Sequence, residues 1–367
     1  MKRILVFGMT DNPGGVESFL MSYFREIDKN KISFDFLCNN KTVAYEDEII
    51  KLGGRVFKIT ARSENYKIYK SELEAFFKEN AQSYDAIWVN VCSLANIDYL
   101  KMAKKYGIKR RIIHSHNSQN MDSFARGLLH KFNRMFIKNY ATDFWACSYA
   151  AASFFYSDSV IEGEKYKEIV NAIDCDKFAF NKEARDRIRK ELNLEDKFVL
   201  GNVGRLHSQK NQSFLLDVFK EVLKKRKDAV LLIVGQGPEE NMLKGKVKEL
   251  KLTKSVKFLG VRDDISALFS AMDVFVFPSN YEGLGIVLIE AQASGLYCKA
   301  SRFRIPEGAK LTELVDFISL DFGPRAWAER ISKIDRNYER ISRKDEITQK
   351  GFNIKTEAVK LTKFFED

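Results

Sequence analysis

The chain has 367 residues, of which 45% are hydrophobic, and this is enough for two packed domains rather than one. No run of about 18 apolar residues occurs, so we expect no membrane-spanning helix, and the first residues are expected to form a strand rather than a signal peptide. The five cysteines have no paired spacing. This favours the buried thiols of a reduced cytosolic protein over a disulfide framework or a zinc site.

The net charge of +11 is concentrated in the segment Lys101–Lys138, which holds ten basic residues and one acid. A basic block favours nucleic acid, an anionic membrane or an anionic substrate as a partner. Because no nucleic-acid-binding motif accompanies it, we expect an anionic membrane surface and no nucleic acid, with a solvated helix face as the alternative. Of the apolar residues between Leu128 and Phe136, some are expected to face the core, while the cations face outward.

Short apolar runs alternate with amphipathic stretches along both halves of the chain, and this pattern predicts parallel, doubly wound sheets. The first half predicts strands at 3–7, 33–37, 55–58, 86–90, 111–114 and 144–146, and helices at 16–26, 46–52, 67–78, 94–106, 123–140 and 149–155. The second half predicts strands at 198–203, 230–234, 256–258, 274–277 and 297–300, and helices at 211–225, 239–250, 265–272, 286–294 and 325–334. We therefore expect two Rossmann-like α/β domains, residues 1–177 and 178–345, followed by a final segment, 346–367, that holds a short amphipathic helix.

Two such domains are expected to face each other across a cleft at the carboxyl ends of their strands, where open parallel sheets bind ligands. The segment Phe277–Glu290 has the pattern of a strand end, a glycine loop and a helix. Gly283 and Gly285 allow a sharp turn, and the N–H groups of the helix start favour a phosphate. Glu282 and Glu290 can accept hydrogen bonds from a vicinal diol such as ribose. These features suggest a nucleotide or nucleotide-sugar, and an ordinary strand–turn–helix is the alternative.

Three further loops that follow strands carry candidate ligand contacts. Arg205 and Lys210 place two cations at a helix start, which suits a diphosphate. Gly14 and Gly15 open a helix directly after the first strand, in the place of a Rossmann phosphate loop but without its three-glycine spacing. His116 could donate a hydrogen bond or shuttle a proton, although a loop histidine can also be structural.

These loops belong to a longer series of short motifs that extends along nearly the whole chain. They are Gly14-Gly15-Val16-Glu17, His114-Ser115-His116-Asn117, Asn171-Ala172-Ile173-Asp174, Gly204-Arg205-Leu206, Lys210-Asn211, Val234-Gly235-Gln236-Gly237, Phe258-Leu259-Gly260-Val261, Phe277-Pro278-Ser279, Glu282-Gly283 through Glu290, and Ala291-Gln292-Ala293-Ser294-Gly295. This order resembles the GT-B glycosyltransferases of family 4, which are retaining enzymes that use nucleotide-sugars. In detail the chain looks most like bacterial capsule and exopolysaccharide glycosyltransferases.

The resemblance implies that the final segment, 346–367, crosses back onto the first domain, and it implies a role for each candidate residue. Arg205 and Lys210 would hold the donor diphosphate and stabilise the leaving nucleoside diphosphate, and His116 would contact the transferred sugar. The remaining donor contacts that it implies are Glu290 to ribose, Glu282 with the amides of Gly283, Leu284, Gly285 and Ile286 to sugar and phosphate, Gly14 and Gly15 beside the diphosphate, and the backbone of Val261 and Arg262 beside the base.

Two positions depart from the family pattern: Ala172 stands where glycine is usual, and Leu296 follows Gly295 where proline is usual. Asp174 and Asp176 spell the DxD of metal-dependent glycosyltransferases of a different fold, and two carboxylates at this spacing could bind a divalent cation. Because Arg205 and Lys210 can neutralise a diphosphate, we expect neither a metal nor another cofactor.

The sequence thus predicts a retaining, metal-independent hexosyltransferase of capsular or exopolysaccharide synthesis. It would move a sugar from a nucleotide-sugar, expected to be a UDP-sugar, to a lipid-linked saccharide. Such an enzyme would be cytoplasmic and peripheral on the inner membrane face. Two alternatives stay open: another nucleotide-sugar enzyme of this fold, such as an epimerase, and a non-catalytic subunit of a polysaccharide-synthesis complex.

Overall fold

The structure, a computed structural model, describes residues 1–117 and 124–367. The chain divides into two compact units, Met1–Ala172 with Ile354–Asp367 and Ile173–Asn353. The first division lies five residues before the break that the sequence places after Lys177 (177 − 172 = 5). None of the described helices is long and apolar enough to cross a membrane.

The described part of the first unit is built on a seven-stranded parallel sheet. Its strands are β1 (Lys2–Phe7), β2 (Ile32–Cys38), β3 (Arg55–Lys58), β4 (Ala86–Val91), β5 (Arg110–Ser115), β6 (Asp143–Ala146) and β7 (Tyr166–Glu168). The helices that follow these strands are α1 (Gly15–Glu26), α2 (Glu46–Lys51), α3 (Tyr66–Asn80), α4 (Asp98–Lys105), α5 (Phe124–Phe136), α6 (Tyr149–Phe155) and α7 (Asp158–Ile161). The strand order is β3-β2-β1-β4-β5-β6-β7, and all its pairs are parallel.

Alternating side chains of this sheet pack on its two faces, as a doubly wound sheet requires. Phe34 and Trp88 point to the face covered by α1, and Ile87 and Ile113 point to the face covered by α3, α4 and α6. Both faces are buried, which explains why the strands read as continuous apolar runs in the sequence.

The second unit repeats this plan with a six-stranded sheet in its described residues. Its strands are β8 (Phe198–Val203), β9 (Ala229–Val234), β10 (Val256–Gly260), β11 (Val274–Phe277), β12 (Tyr297–Ser301) and β13 (Val315–Ile318). Its helices are α8 (Lys182–Glu191), α9 (Gln212–Lys225), α10 (Glu240–Glu249), α11 (Ile265–Ala271), α12 (Ile286–Ala293), α13 (Gly323–Ser332) and α14 (Lys344–Gln349). The order is β10-β9-β8-β11-β12-β13, again with parallel pairs, so the predicted α/β class with doubly wound sheets is confirmed.

The last helix, α15 (Ile354–Glu366), belongs to the first unit, where it packs beside α1. The ring of Phe365 lies against Phe34 and Trp88, with centroids 6.2 and 6.3 Å apart. The ring of Phe364 lies 4.8 Å from that of Trp145, and its carbonyl accepts a hydrogen bond of 2.7 Å from Arg110. The first unit is therefore completed by residues that come last in the chain.

The cations of helix α5 are exposed, as we expected, but the positions of its apolar side chains differ from the expectation. His130 and Asn133 are the buried side chains of this helix, and they bond the main chain of neighbouring elements. Six large apolar side chains are between 42% and 82% exposed: Phe124, Leu128, Leu129, Phe132, Met135 and Phe136. The expectation that some residues between Leu128 and Phe136 face the core is wrong for these side chains, because hydrogen bonds of the two polar residues, not apolar packing, hold the helix.

Each sheet has a point where its strand order reverses. In the first unit this point lies between β1 and β4, and in the second unit it lies between β8 and β11. The loops at the carboxyl ends of these strands border a crevice in which doubly wound folds bind ligands. The candidate residues that the sequence singled out lie mainly on these loops.

Candidate active site

A buried ion pair joins the loops that follow β8 and β11. The Nζ of Lys210 lies 2.7 Å from Oε1 of Glu282, and the two side chains are only 18% and 6% exposed. The Lys210 ammonium also lies 5.0 Å from the ring centroid of Phe277, at the end of β11. The structure thus brings together two residues to which the sequence gave separate roles, and a bound anion would share Lys210 with Glu282.

Hydrogen bonds to main-chain carbonyl groups hold these two loops together. The N–H of Asn280 donates to the carbonyl of Gln209 over 2.7 Å, and the amide of Asn280 donates to the carbonyl of Ser208 over 2.7 Å. The side chain of Gln209 returns a bond of 3.1 Å to the carbonyl of Tyr281. Lys210 is therefore carried on a fixed framework, which a phosphate contact needs for pre-organisation.

Arg205 lies on the same loop as Lys210 but has a different environment. Its side chain is exposed, and its carbonyl accepts a bond of 3.1 Å from the amide of Gln212. Within the described residues, its guanidinium makes no hydrogen bond or ion pair. Its five N–H donors are thus available for an oxyanion.

The glycine loop ends where the sequence predicted a helix start. Gly285 has φ of 82°, and a Cβ at this position would lie 3.2 Å from Phe277. Gly283 is exposed, and a Cβ there would meet nothing within 4 Å. The N–H groups of Ile286 and its neighbours begin α12, and the first turn of a helix has no acceptors of its own for these groups. Leu284 lies between the glycines and packs on the core of the unit.

Glu290 lies about one turn after the start of α12 and is half-buried. Burial raises its pKa to about 7, and the nearby Lys177 ammonium partly opposes this shift. No hydrogen bond of its carboxylate occurs within the described residues. The group is therefore available to accept hydrogen bonds from a pair of hydroxyls once it is ionised.

The loop after β10 is fixed by the side chain of Arg262, a residue for which we had predicted only a backbone contact. The guanidinium of Arg262 makes two bonds of 2.8 Å to the carboxylate of Asp264 and one of 3.1 Å to Glu191, and these bonds raise its pKa. Val261 is 62% exposed beside it. Arg262 thus holds the loop in shape, and contact of its backbone with a nucleobase stays a prediction.

In the first unit, the predicted glycine pair opens α1 and is held by a residue that the sequence reasoning did not single out. Glu17 is buried, and its carboxylate accepts bonds from the N–H of Gly14 over 3.1 Å and from the hydroxyl of Thr10 over 2.6 Å. A Cβ at Gly15 would meet nothing within 4 Å, so that position faces open space. The Gly-Gly-x-Glu spacing, which places a glutamate at the third helical position, was the available signal for this capping role.

His116 follows β5 and lies among aromatic side chains. Its ring centroid is 4.9 Å from that of Phe19 and 4.2 Å from that of His114, and its Nε2 lies 2.9 Å from Oδ1 of Asn90. Burial lowers the pKa of His116 to about 3, so the ring is neutral at physiological pH. Asn90 was missed at the sequence level because a polar residue at a strand end carries no signature of its own.

The aspartates of the DxD sequence serve local structure in the second unit. Asp174 Oδ1 accepts hydrogen bonds from the N–H groups of Asp176 and Lys177, over 3.1 and 3.0 Å. Asp176 pairs with Lys344 at 3.1 Å. Throughout residues 1–117 and 124–367, no group of three or more histidine, cysteine or acidic residues could hold a metal ion.

Most cations of the basic block make contacts inside the first unit. Arg134 donates to the carbonyl of Ser153 over 3.0 Å, and Arg111 donates to that of Tyr140 over 2.6 Å. The other cations with such contacts are Lys104 with Asn139, Lys105 with Glu74, Arg110 with Phe364, and Lys138 with Ser159. The outward face of α5 is consequently defined by its exposed apolar residues more than by free charge.

Comparison with known proteins identifies the family to which the chain is similar. A model described as glycosyl transferases group 1 matches residues 184–342. The putative glycosyltransferase EpsF of Bacillus subtilis (strain 168) is 33% identical over 338 residues, which cover 90% of this chain and 87% of that protein. An Escherichia coli enzyme named UDP-Gal:alpha-D-GlcNAc-diphosphoundecaprenol alpha-1,3-galactosyltransferase is 37% identical over 145 residues, 38% of each chain.

Solved structures match the whole chain. HepE of Anabaena, solved with UDP, has a TM-score of 0.71 at 19% identity, and the match covers 100% of this chain and 96% of that chain. A glycosyltransferase from Rickettsia africae has a TM-score of 0.79 at 15% identity, covering 100% and 98%. These likenesses confirm the predicted GT-B fold. The chain belongs to the group 1 glycosyltransferases, and it is an enzyme of that class. A relative from Staphylococcus aureus, 38% identical over 127 residues that cover 34% of this chain and 32% of that protein, is named capsular polysaccharide biosynthesis glycosyltransferase CapM.

Proposed function

We propose that this enzyme transfers a hexose from a UDP-sugar to a lipid-linked saccharide, with retention at the anomeric carbon and without a metal. The observation that carries the proposal is the buried Lys210–Glu282 pair beside the exposed guanidinium of Arg205 and the start of α12. Negative charge develops on the departing diphosphate in the transition state, and fixed cations and helix N–H groups stabilise charge of this kind.

The choice of a UDP-sugar as donor and a lipid-linked saccharide as acceptor is supported by the names of similar proteins and by the chemistry of the candidate residues. HepE was solved with UDP and with UDP-glucose, and the E. coli relative is named for UDP-Gal and a diphosphoundecaprenol acceptor. Glu290 would accept hydrogen bonds from the ribose hydroxyls, and Gly15 would leave room beside the diphosphate. Retention follows from the motif resemblance and is tested by NMR of the anomeric proton in the product.

The acceptor places the enzyme at a membrane in this proposal. The exposed apolar face of α5 would contact the lipid surface, and exposed Lys131 would approach anionic headgroups. None of the five cysteines is in a disulfide, which suits the reducing cytoplasmic side of the membrane.

Arg205→Ala is the sharpest test of the donor site, because the Arg205 guanidinium bonds no other group within residues 1–117 and 124–367. We expect at least about a hundredfold loss of turnover in sugar transfer from UDP-sugar, by analogy with removal of one oxyanion-hole donor, at an unchanged melting temperature. Lys210→Ala should lose as much turnover and should also destabilise the protein, since it leaves the buried Glu282 carboxylate unpaired.

Lys224→Ala is the matched control, because this lysine is 62% exposed on α9 and pairs only with Glu221 in the described structure. Near-normal turnover of folded Arg205→Ala would contradict the proposal. Activity that EDTA abolishes and manganese restores would contradict its metal-free part. Formation of an epimer without any acceptor would instead favour the epimerase alternative.

A further inference from the structure

Asn90 lies where the ends of two neighbouring parallel strands, β1 and β4, come close together. It is buried in β4, and it sits beside Gly8, the residue that follows β1. Gly8 has φ of 138°, and a Cβ at Gly8 would lie 2.7 Å from both Cβ and the carbonyl oxygen of Asn90. The absence of a side chain at Gly8 thus lets Asn90 occupy this position.

The hydrogen bonds of Asn90 fix the orientation of its amide. Nδ2 donates to the carbonyl oxygens of Phe7 and Trp88, each over 3.3 Å. An amide nitrogen can only donate and an amide oxygen can only accept, so Oδ1 is the atom that faces His116 Nε2 at 2.9 Å. Because Oδ1 has no proton to give, Nε2 of His116 must carry one.

The surroundings of His116 keep the ring neutral. Three elements pack on it, through Phe19 of α1, Asn90 of β4 and His114 of β5. His114 is the titratable group among these contacts, and burial lowers its pKa well below the usual range. On α1 the carboxylate of Glu17 is taken by Thr10 and Gly14. A neutral imidazole with its proton on Nε2 has an unprotonated Nδ1, which is an acceptor.

The Nδ1 edge is the free edge of the ring. Within the described residues, this atom has no hydrogen-bond partner, and it is not among the enclosed unpaired polar atoms, which include Nε2 of His114. His116 is half-buried, so Nδ1 is the atom of its ring that is left for a ligand.

We propose that Asn90 is a positioning residue that holds His116 in the Nε2–H tautomer, so that Nδ1 accepts a hydrogen bond from a hydroxyl of the bound sugar. The role in the reaction rests on the proposed function above, whereas the tautomer is a property of the free protein. His116 is then a hydrogen-bond acceptor at its substrate-facing atom and not a proton donor.

The tautomer can be read directly by long-range ¹H–¹⁵N correlation NMR of the full chain, labelled on its four histidines and assigned with His116→Gln. We expect the wild-type ring to carry its proton on Nε2 from about pH 5 to about pH 8, because neither histidine of the pair titrates there. Asn90→Leu removes the acceptor, so the His116 signals should move to a mixture of tautomers. Asn133→Leu, which removes another buried amide in the same unit, should leave them unchanged.

Asn90→Asp provides the conservative variant and a functional readout. It keeps an acceptor at Nε2 but introduces a negative charge, which raises the pKa of His116. Turnover in this variant should fall below that pKa, where Nδ1 becomes protonated, and recover above it. Asn90→Leu should lose roughly three- to tenfold in kcat at every pH, the range expected for one hydrogen bond.

A proton on Nδ1 in the wild type, or unchanged His116 signals in both Asn90 variants, would overturn the tautomer assignment. The expected tautomer together with normal kcat in folded Asn90→Leu and His116→Gln would overturn the role in the reaction. Absence of any sugar transfer in the wild type would overturn the proposed function and leave the NMR result standing.

Discussion

At the scale of single residues, the sequence singled out candidate ligand-binding groups but not the residues that they contact. Arg205, Lys210, Glu282 and Glu290 could be singled out because each occurs at a fixed offset from a strand end and a glycine. The pairing of Lys210 with Glu282 could not be predicted, since it joins positions 72 residues apart. The same holds for Asn90, whose contact with His116 spans 26 residues and depends on the missing side chain of Gly8.

Glu290 gives a prediction about pH. Its pKa of about 7 lies above that of an unfolded glutamate, so the folded protein binds the proton more tightly than the unfolded chain. Its contribution to stability is therefore fully present below the unfolded pKa and is lost as the pH rises through about 7. The ionised carboxylate is the form that accepts two ribose hydroxyls, so the affinity for UDP should increase from about pH 6 to about pH 8.

Calorimetric titration of UDP across this pH range, with wild type and Glu290→Gln in parallel, measures the effect. Ionisation of the diphosphate affects both proteins equally, so the difference between their two curves isolates Glu290. The glutamine variant should bind UDP more weakly at about pH 8 and approach the wild type at about pH 6. Parallel curves would mean that Glu290 does not titrate in this range or does not contact the nucleotide.

At the scale of elements, strands that are continuous apolar runs were predicted well, whereas β7, β13 and α8 were missed. β8 and β11 were predicted with the observed bounds, because each is a continuous apolar run. β7 is a three-residue edge strand with largely exposed side chains, and it has no apolar pattern to find. α8 was missed because it lacks apolar periodicity: it is held instead by Arg185 and Arg189, which pair with the buried carboxylate of Asp273.

Helix α5 shows how periodicity can mislead. Its apolar stripe has the spacing of a core-facing helix, but the buried residues of the helix are His130 and Asn133, which bond the main chain at Leu94 and Phe154. Hydrogen-bond satisfaction of buried main-chain groups decided the orientation of the helix. The apolar side chains are left as a contiguous exposed surface, which is typical of an interaction site.

The membrane proposal predicts the behaviour of this surface. Leu128→Ser, Phe132→Ser and Met135→Ser, combined, should weaken sedimentation with phosphatidylglycerol vesicles both at low salt and at roughly 0.5 M salt, where charges are screened within a few ångströms. The melting temperature should not fall, because the three side chains are 52%, 56% and 68% exposed. Co-sedimentation across the two salt conditions, with phosphatidylcholine vesicles in parallel, provides the measurement.

A matched control replaces exposed apolar residues elsewhere, with Val359→Ser on α15 and Met242→Ser on α10, which are 68% and 48% exposed. This control should bind vesicles as the wild type does. Charge variants are less suitable, since Arg134 and Lys138 hold Ser153 and Ser159. Undiminished vesicle binding by the triple serine variant would exclude the apolar face of α5 as the contact.

At the scale of the whole molecule, one unit is formed by a continuous stretch of the chain and the other by two separate stretches. Ile173–Asn353 is continuous, carries Arg205, Lys210, Glu282 and Glu290, and has apolar layers on both faces of its sheet. The first unit is discontinuous, because one of its layers is completed by α15. Spacing alone predicts an amphipathic last helix, and its return to the first domain was implied by the family resemblance. The aromatic contacts of Phe364 and Phe365 that hold it there are encoded by no local pattern.

We therefore expect opposite outcomes from two truncations. A chain that ends at Asn353 loses the packing of Ile354, Leu361 and Phe365, each worth about 1.5–3 kcal/mol when fully buried, and the sum approaches the whole stability of a domain. Its first unit should unfold or aggregate at a temperature at which the full chain is folded. The fragment Ile173–Asn353 should fold cooperatively and bind UDP, yet transfer no sugar, since it lacks His116 and the glycine pair. Differential scanning calorimetry and UDP titration of both proteins decide the matter, with deletion of exposed Asp367 as the control. A stable chain ending at Asn353, or a fragment that cannot bind UDP, would contradict this division of labour between the units.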